Sequence, residues 1–191
     1  MERGDSLLLV IDAQPAFDRP TGGAAPANQS GPMDRIAWLV AVAAALDVPI
    51  FVTEEDAARN GPTAEPVLVA AGPGTHVVAK HVFGAADQPD ILAAIEAAGR
   101  GTIVIAGMET DVCVAHSAIG LVGRGYRVVV VEDATFSPGP MHDAGIRRMS
   151  GLGVEVGHTK GIYYEWIRSV DAARAFERDH PDLADPPGFS L

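Results

Sequence analysis

The 191 residues contain one cysteine, Cys113, preceded by Gly-Met-Glu-Thr-Asp-Val where an apolar run gives way to a helical pattern. A lone thiol in apolar surroundings is either a small packed hydrophobe or a nucleophile, and its position argues for the second. Thr110 or Asp111 is a suitable N-cap, which puts Cys113 in the first helical turn. Unpaired N–H groups and the positive end of the helix dipole favour a standing thiolate there. Two more reactive side chains end other apolar runs: Asp12 directly after residues 7–11, and Lys80 after residues 76–79. A lysine ammonium beside the sulfur would also lower the thiol pKa. An aspartate within reach would act first as base toward the thiol and then as acid toward a leaving group. The helix N-terminus would supply backbone donors to an oxyanion.

These side chains need a scaffold that brings distant segments together. Short Val- and Ile-rich runs at 7–11, 49–53, 76–79, 102–106, 127–131 and 154–156 are continuous rather than alternating, the pattern of strands covered on both faces. Helical patterns lie between them at 34–46, 64–70, 88–98, 112–124 and 138–152. Alternating strand and helix predicts βαβ units, hence a parallel sheet with helices on both faces. Such a sheet carries its chemistry outside the carboxyl ends of its strands, where Asp12, Lys80 and Cys113 all fall. Residues 18–33 read as a long loop forming a lid or site wall. The length predicts a single domain, 1–191, in which 179–191, with three prolines, is an extended tail packed on the domain or on a neighbouring subunit.

Bulk properties exclude some partners. Fourteen Lys and Arg against 25 Asp and Glu give a formal charge of −11, which repels nucleic acid and anionic membranes. No stretch approaches the ~18 apolar residues of a membrane span, and the first run is too short for a signal peptide. One cysteine can form neither an internal disulfide nor a thiolate metal site. The expectation is a cytoplasmic protein acting on a small molecule.

Three segments together resemble the signature blocks of the isochorismatase-like cysteine hydrolases: Asp-Ala-Gln-Pro-Ala-Phe at 12–17, Ala-Lys-His-Val-Phe-Gly-Ala around Lys80, and Gly-Met-Glu-Thr-Asp-Val-Cys-Val at 107–114. Residues 125–134 and His142 match the usual continuation. The resemblance implies a three-layer αβα sandwich around a six-stranded parallel sheet and an Asp12–Lys80–Cys113 triad. In it Asp12 shuttles the proton, Lys80 stabilises charge and Cys113 attacks. It also implies a cis peptide at Met108–Glu109 and an oxyanion hole from the N–H groups of Glu109 and Cys113. Dimers or larger homo-oligomers are implied too, and the aromatic residues Tyr163, Tyr164 and Trp166 fit either an interface or an anchor for the C-terminal segment.

The sequence departs from the nicotinamidase branch, whose metal site uses histidines after the second strand. Residues 53–63 here contain none, so no metal and no cofactor is expected. With Cys113 present, the reading is hydrolysis of a small amide, ureido or carbamoyl C–N bond through a thioester. The alternatives are isochorismatase-type hydrolysis of a small acid, or a non-catalytic thiol-bearing binding or redox-sensing module. Gln14, Phe17, Glu54, Phe83 and His116 are the expected substrate-binding side chains. Asp133 reads as a loop cap. A dinucleotide-binding fold is excluded at the first βα turn, which lacks a glycine-rich phosphate loop.

Overall fold

The computed structural model describes residues 1–18 and 31–188. Most of the expected lid, residues 19–30, and the last three residues of the tail lie outside the described residues.

Strands β1 (Ser6–Ile11), β2 (Ile50–Glu55), β3 (His76–Lys80), β4 (Thr102–Met108), β5 (Arg127–Phe136) and β6 (Glu155–Gly157) form one sheet in the order β3-β2-β1-β4-β5-β6. Every neighbouring pair is parallel. The order reverses between β1 and β4, and that switch point opens the crevice where such sheets bind ligands. The helices are α1 (Pro32–Ala45), α2 (Ala57–Asn60), α3 (Glu65–Ala71), α4 (Pro89–Ala97), α5 (Ala115–Val122), α6 (Met141–Ser150), α7 (Thr159–Ile167) and α8 (Val170–Asp179). Among the described residues no helix is long and apolar enough to cross a membrane.

Strand parity divides the core into two layers. Leu8 and Val10 of β1 pack with Ile36, Leu39, Val67, Trp166 and Phe176 from α1, α3, α7 and α8. Leu7, Leu9 and Ile11 pack on the opposite face with Ile91, Ile95, Leu121 and Met149 from α4, α5 and α6. All six residues of β1 are buried, and each fully buried leucine contributes roughly 1.5–3 kcal/mol. This explains the unbroken apolar runs of β1 and β4, whereas β3 and β6, at the two edges, are largely exposed against the expectation of cover on both faces.

In the C-terminal region, helices α7 and α8 favour the anchor over the interface for the aromatic residues. The aromatic residues near 163 carry part of the chain's own core, because Tyr163 and Trp166 are buried and Tyr163 packs on Trp38 and Phe176; Tyr164 is the exposed one. Ser169 caps α8, its Oγ accepting from the Ala172 N–H at 3.2 Å. The segment beyond α8 lies on the domain, where Trp38 Nε1 donates to the Leu183 carbonyl at 3.2 Å. Asp133 falls inside β5 rather than at its end, since an irregularity in the β4–β5 register lets β5 continue to Phe136. Its carboxylate accepts from Thr159 N–H at 2.8 Å and Oγ1 at 2.7 Å, which makes it the anchor for the start of α7.

One glycine is essential to the crevice. Gly107 pairs with Ile11 across β1 and β4, and a Cβ on it would lie 1.9 Å from the Ile11 carbonyl oxygen. Its φ of 129° is also a conformation that side chains disfavour.

Candidate active site

Asp12, Lys80 and Cys113 converge at the carboxyl end of the sheet. Asp12 is the first residue beyond β1, is fully buried, and takes a positive φ of 47°, a setting rare for a non-glycine residue and frequent at functional sites. Lys80 ends the edge strand β3 and reaches past β2 to put Nζ 2.6 Å from Asp12 Oδ2. It too is fully buried, and Nζ donates to the Val82 carbonyl at 3.1 Å. Thr53 Oγ1 donates to Asp12 Oδ1 at 2.8 Å. Burial pushes the Asp12 carboxyl above its usual range, while Lys80 and the Thr53 hydroxyl pull the other way. The pair is thus a buried ion pair with hydrogen bonds on both partners, the condition under which such a pair can be tolerated.

Cys113 lies in a π-helical turn, Thr110–Val114, that leads into α5. The Val114 N–H donates back to the Glu109 carbonyl at 3.1 Å. The expected N-cap does not form. Thr110 Oγ1 instead bonds to His142 Nδ1 at 2.9 Å, and the Asp111 carboxylate accepts from Ser137 Oγ at 2.6 Å, because α6 and the end of β5 offer closer partners. The Met108–Glu109 peptide is cis.

The expected standing thiolate is also corrected. Burial, the Asp12 carboxylate and a hydrogen bond to Glu55 push the Cys113 thiol far above its ordinary range, with Lys80 the opposing influence. The reason is geometric: Sγ donates to Glu55 Oε2 at 3.1 Å and shares a cluster with Asp12, all three donor atoms lying within 4.8 Å of one another. Lys80, which would favour a thiolate, is committed to Asp12. Burial and the two carboxylates thus favour the thiol over the thiolate at Cys113.

Glu55 is the site residue that sequence reasoning missed, and strand parity was the signal for it. Val52 faces the α1 layer and Phe51 faces the α5 layer, so Thr53 and Glu55 share the Cys113 side. Glu54, expected at the substrate, points the other way and accepts from Thr63 N–H and Oγ1 at 2.7 and 2.8 Å. Gln14 is buried and fully engaged by the chain. Its Oε1 accepts from the Glu55 N–H at 2.8 Å and its Nε2 donates to the carbonyls of Glu55, at 3.1 Å, and Gly61. Phe17 packs at the margin of the α1-side core. Phe83 is exposed and its ring lies 6.1 Å from that of His116, itself an exposed residue of α5.

Asp12, Glu55 and Cys113 have ligand types a metal can use. Asp12 is already paired with Lys80, and the Cys113 thiol is hydrogen-bonded to Glu55. A second cation would have to break both pairings, and residues 53–63 add no histidine.

Comparison with known proteins identifies the family. A family model described as an isochorismatase domain matches residues 6–160. The chain is 32% identical over 141 residues to the probable hydrolase YcaC of Escherichia coli (strain K12), covering 70% of this chain and 67% of that protein. Among solved structures, YcaC from Pseudomonas aeruginosa with hexane-2,5-diol and covalent acrylamide matches with a TM-score of 0.82 at 23% identity, over 96% of this chain and 93% of that one. The E. coli YcaC gene product, described as an octameric hydrolase of unknown specificity, matches with a TM-score of 0.82 at 24% identity, over 96% and 92%. The two structures share the fold, and the domain match runs from β1 into the start of α7, across the segments that carry Asp12, Lys80 and Cys113. This chain belongs to the isochorismatase family of hydrolases.

Proposed function

We propose that the protein is a cysteine hydrolase that cleaves a C–N bond of a small amide, ureido or carbamoyl compound through a thioester on Cys113. The observation that carries this reading is the buried Asp12–Lys80 pair, 2.6 Å apart, set beside the thiol. As Sγ attacks the carbonyl carbon, its proton passes to Asp12. The oxyanion takes hydrogen bonds from the N–H groups of Glu109 and Cys113. Asp12 then gives the proton to the leaving nitrogen, the C–N bond breaks, and ammonia or an amine departs. Water attacks the thioester with Asp12 as base, the acid leaves, and the proton returns to sulfur. Lys80 stays paired with Asp12 and favours the ionised form of its carboxylate.

A buried thiol hydrogen-bonded to a carboxylate fits a redox sensor poorly, since sensor cysteines stand open to oxidants. Covalent acrylamide in P. aeruginosa YcaC is consistent with a nucleophilic sulfur in that fold. The octameric E. coli YcaC supports a homo-oligomer here. A screen of small amides, ureas and carbamoyl compounds with wild-type protein and Cys113→Ala tests the reading: turnover is expected in the first and absent in the second.

A further inference from the structure

Proton transfer among Asp12, Lys80 and Cys113 leaves Glu55 without a part, although its carboxylate touches the nucleophile at 3.1 Å. Glu55 is a positioned group. Gln14 clamps its peptide from both sides, and Asn60 Nδ2 adds a hydrogen bond to the same carbonyl at 3.0 Å. Its side chain is half-buried at the end of β2, and an ionised carboxylate accepts at about four lone-pair sites, of which the thiol uses one. The surroundings reinforce its sign. Asp12 and Glu55 both act on the thiol, Asp111 and Glu55 both act on Glu109, and Lys80 is tied to Asp12. A group arriving at Sγ therefore meets negative potential and a fixed acceptor.

We infer that Glu55 is a specificity-determining residue that accepts N–H bonds from a cationic or donor-rich group beside the scissile carbonyl. The substrates are then amino-, amidino- or guanidino-bearing amides and ureas rather than carboxylate-bearing ones. This inference rests on the proposal that Cys113 attacks a C–N carbonyl, but its test does not need turnover.

The test uses Cys113 as the chain's single thiol. Three small methanethiosulfonates are compared: 2-aminoethyl (cation), methyl (neutral) and 2-sulfonatoethyl (anion). In each, a new S–S bond forms at Sγ, methanesulfinate leaves, and the thiol proton passes to Asp12 or buffer. Modification rates are divided by those of a small free thiol. The cation-to-anion ratio should be about tenfold or more at low salt in the wild type. In Glu55→Gln it should fall about tenfold, while Glu55→Asp and the remote, exposed Glu96→Gln keep it. Any change in thiol pKa alters all three rates alike and cancels in the ratio. A wild-type ratio near one, or a ratio unmoved by Glu55→Gln, overturns the assignment. Should Glu55→Gln fail to fold, Glu55→Ala takes its place, with the same fall in the ratio expected and an unmoved ratio overturning the assignment. Hydrolysis of amides with a flat ratio would sink the Glu55 role alone, whereas a steep, Glu55-dependent ratio with no amide hydrolysis would sink the hydrolase reading alone.

Discussion

Lys80 reaches from the edge strand past β2 to hold Asp12 at 2.6 Å, with both side chains fully buried. That pairing shapes the surroundings of the Cys113 sulfur. With the ammonium held by Asp12, its pull on the Cys113 thiol is outweighed by burial and the carboxylates of Asp12 and Glu55.

Turnover and simple thiol reactivity should therefore respond to Asp12 in opposite directions. In Asp12→Asn, hydrolysis should fall by about 10²–10⁴-fold as the proton shuttle is lost. Alkylation of Cys113 by neutral iodoacetamide at pH 7 should speed up, because the carboxylate that raises the thiol pKa is gone. Rates by intact mass on folded protein, against wild type, check both. Slower alkylation together with lost turnover would mean that Asp12 activates the resting thiol.

Removing one member of the buried pair should destabilise more than removing both. Lys80→Met leaves a buried, unpaired carboxylate and should cost about 3–5 kcal/mol. The double variant Asp12→Asn with Lys80→Met should recover most of that. Urea melts across the four-member cycle measure the coupling.

Thr53→Val should move the pH profile. The Thr53 hydroxyl lowers the Asp12 pKa, so its loss raises that pKa. Asp12 must be ionised to accept the thiol proton, so the acid limb of kcat/KM should shift to higher pH. A hydrogen bond worth about 0.5–1.5 kcal/mol corresponds to roughly half to one pH unit. A shift to lower pH, or none, would remove Asp12 from that limb.

Gly107→Ala should be among the costlier single substitutions in the sheet. Its Cβ would meet the Ile11 carbonyl oxygen at 1.9 Å at a φ of 129°, so β1 and β4 must separate where Asp12 emerges. A loss of about 3 kcal/mol or more in chemical denaturation is expected.

The sheet was legible in the sequence because strands buried on both faces must be continuously apolar, as Leu7 to Ile11 are. Asp12 and Lys80 were legible because each ends an apolar run, and Cys113 because a helical pattern begins just past another. Elements that alternate polar and apolar residues were harder to read. Helix α8 keeps only Ala173 and Phe176 buried among charged neighbours, and β5 runs on through Glu132 and Asp133, which read locally as its end. The charge state of Cys113 could not be read from helix position alone, because it depends on Glu55, which strand parity brings from β2 onto the same face. Choosing Glu54 over Glu55 was a one-residue error of register, which in a strand reverses the face.

The central claim is that a covalent acyl group passes through Cys113. Acid-quenched intact-mass analysis during turnover of a small amide measures this directly. Thioester catalysis predicts a mass increase equal to the acyl portion of the substrate on Cys113, removable by hydroxylamine, with neither adduct nor turnover in Cys113→Ala. Undiminished hydrolysis by Cys113→Ala would contradict it.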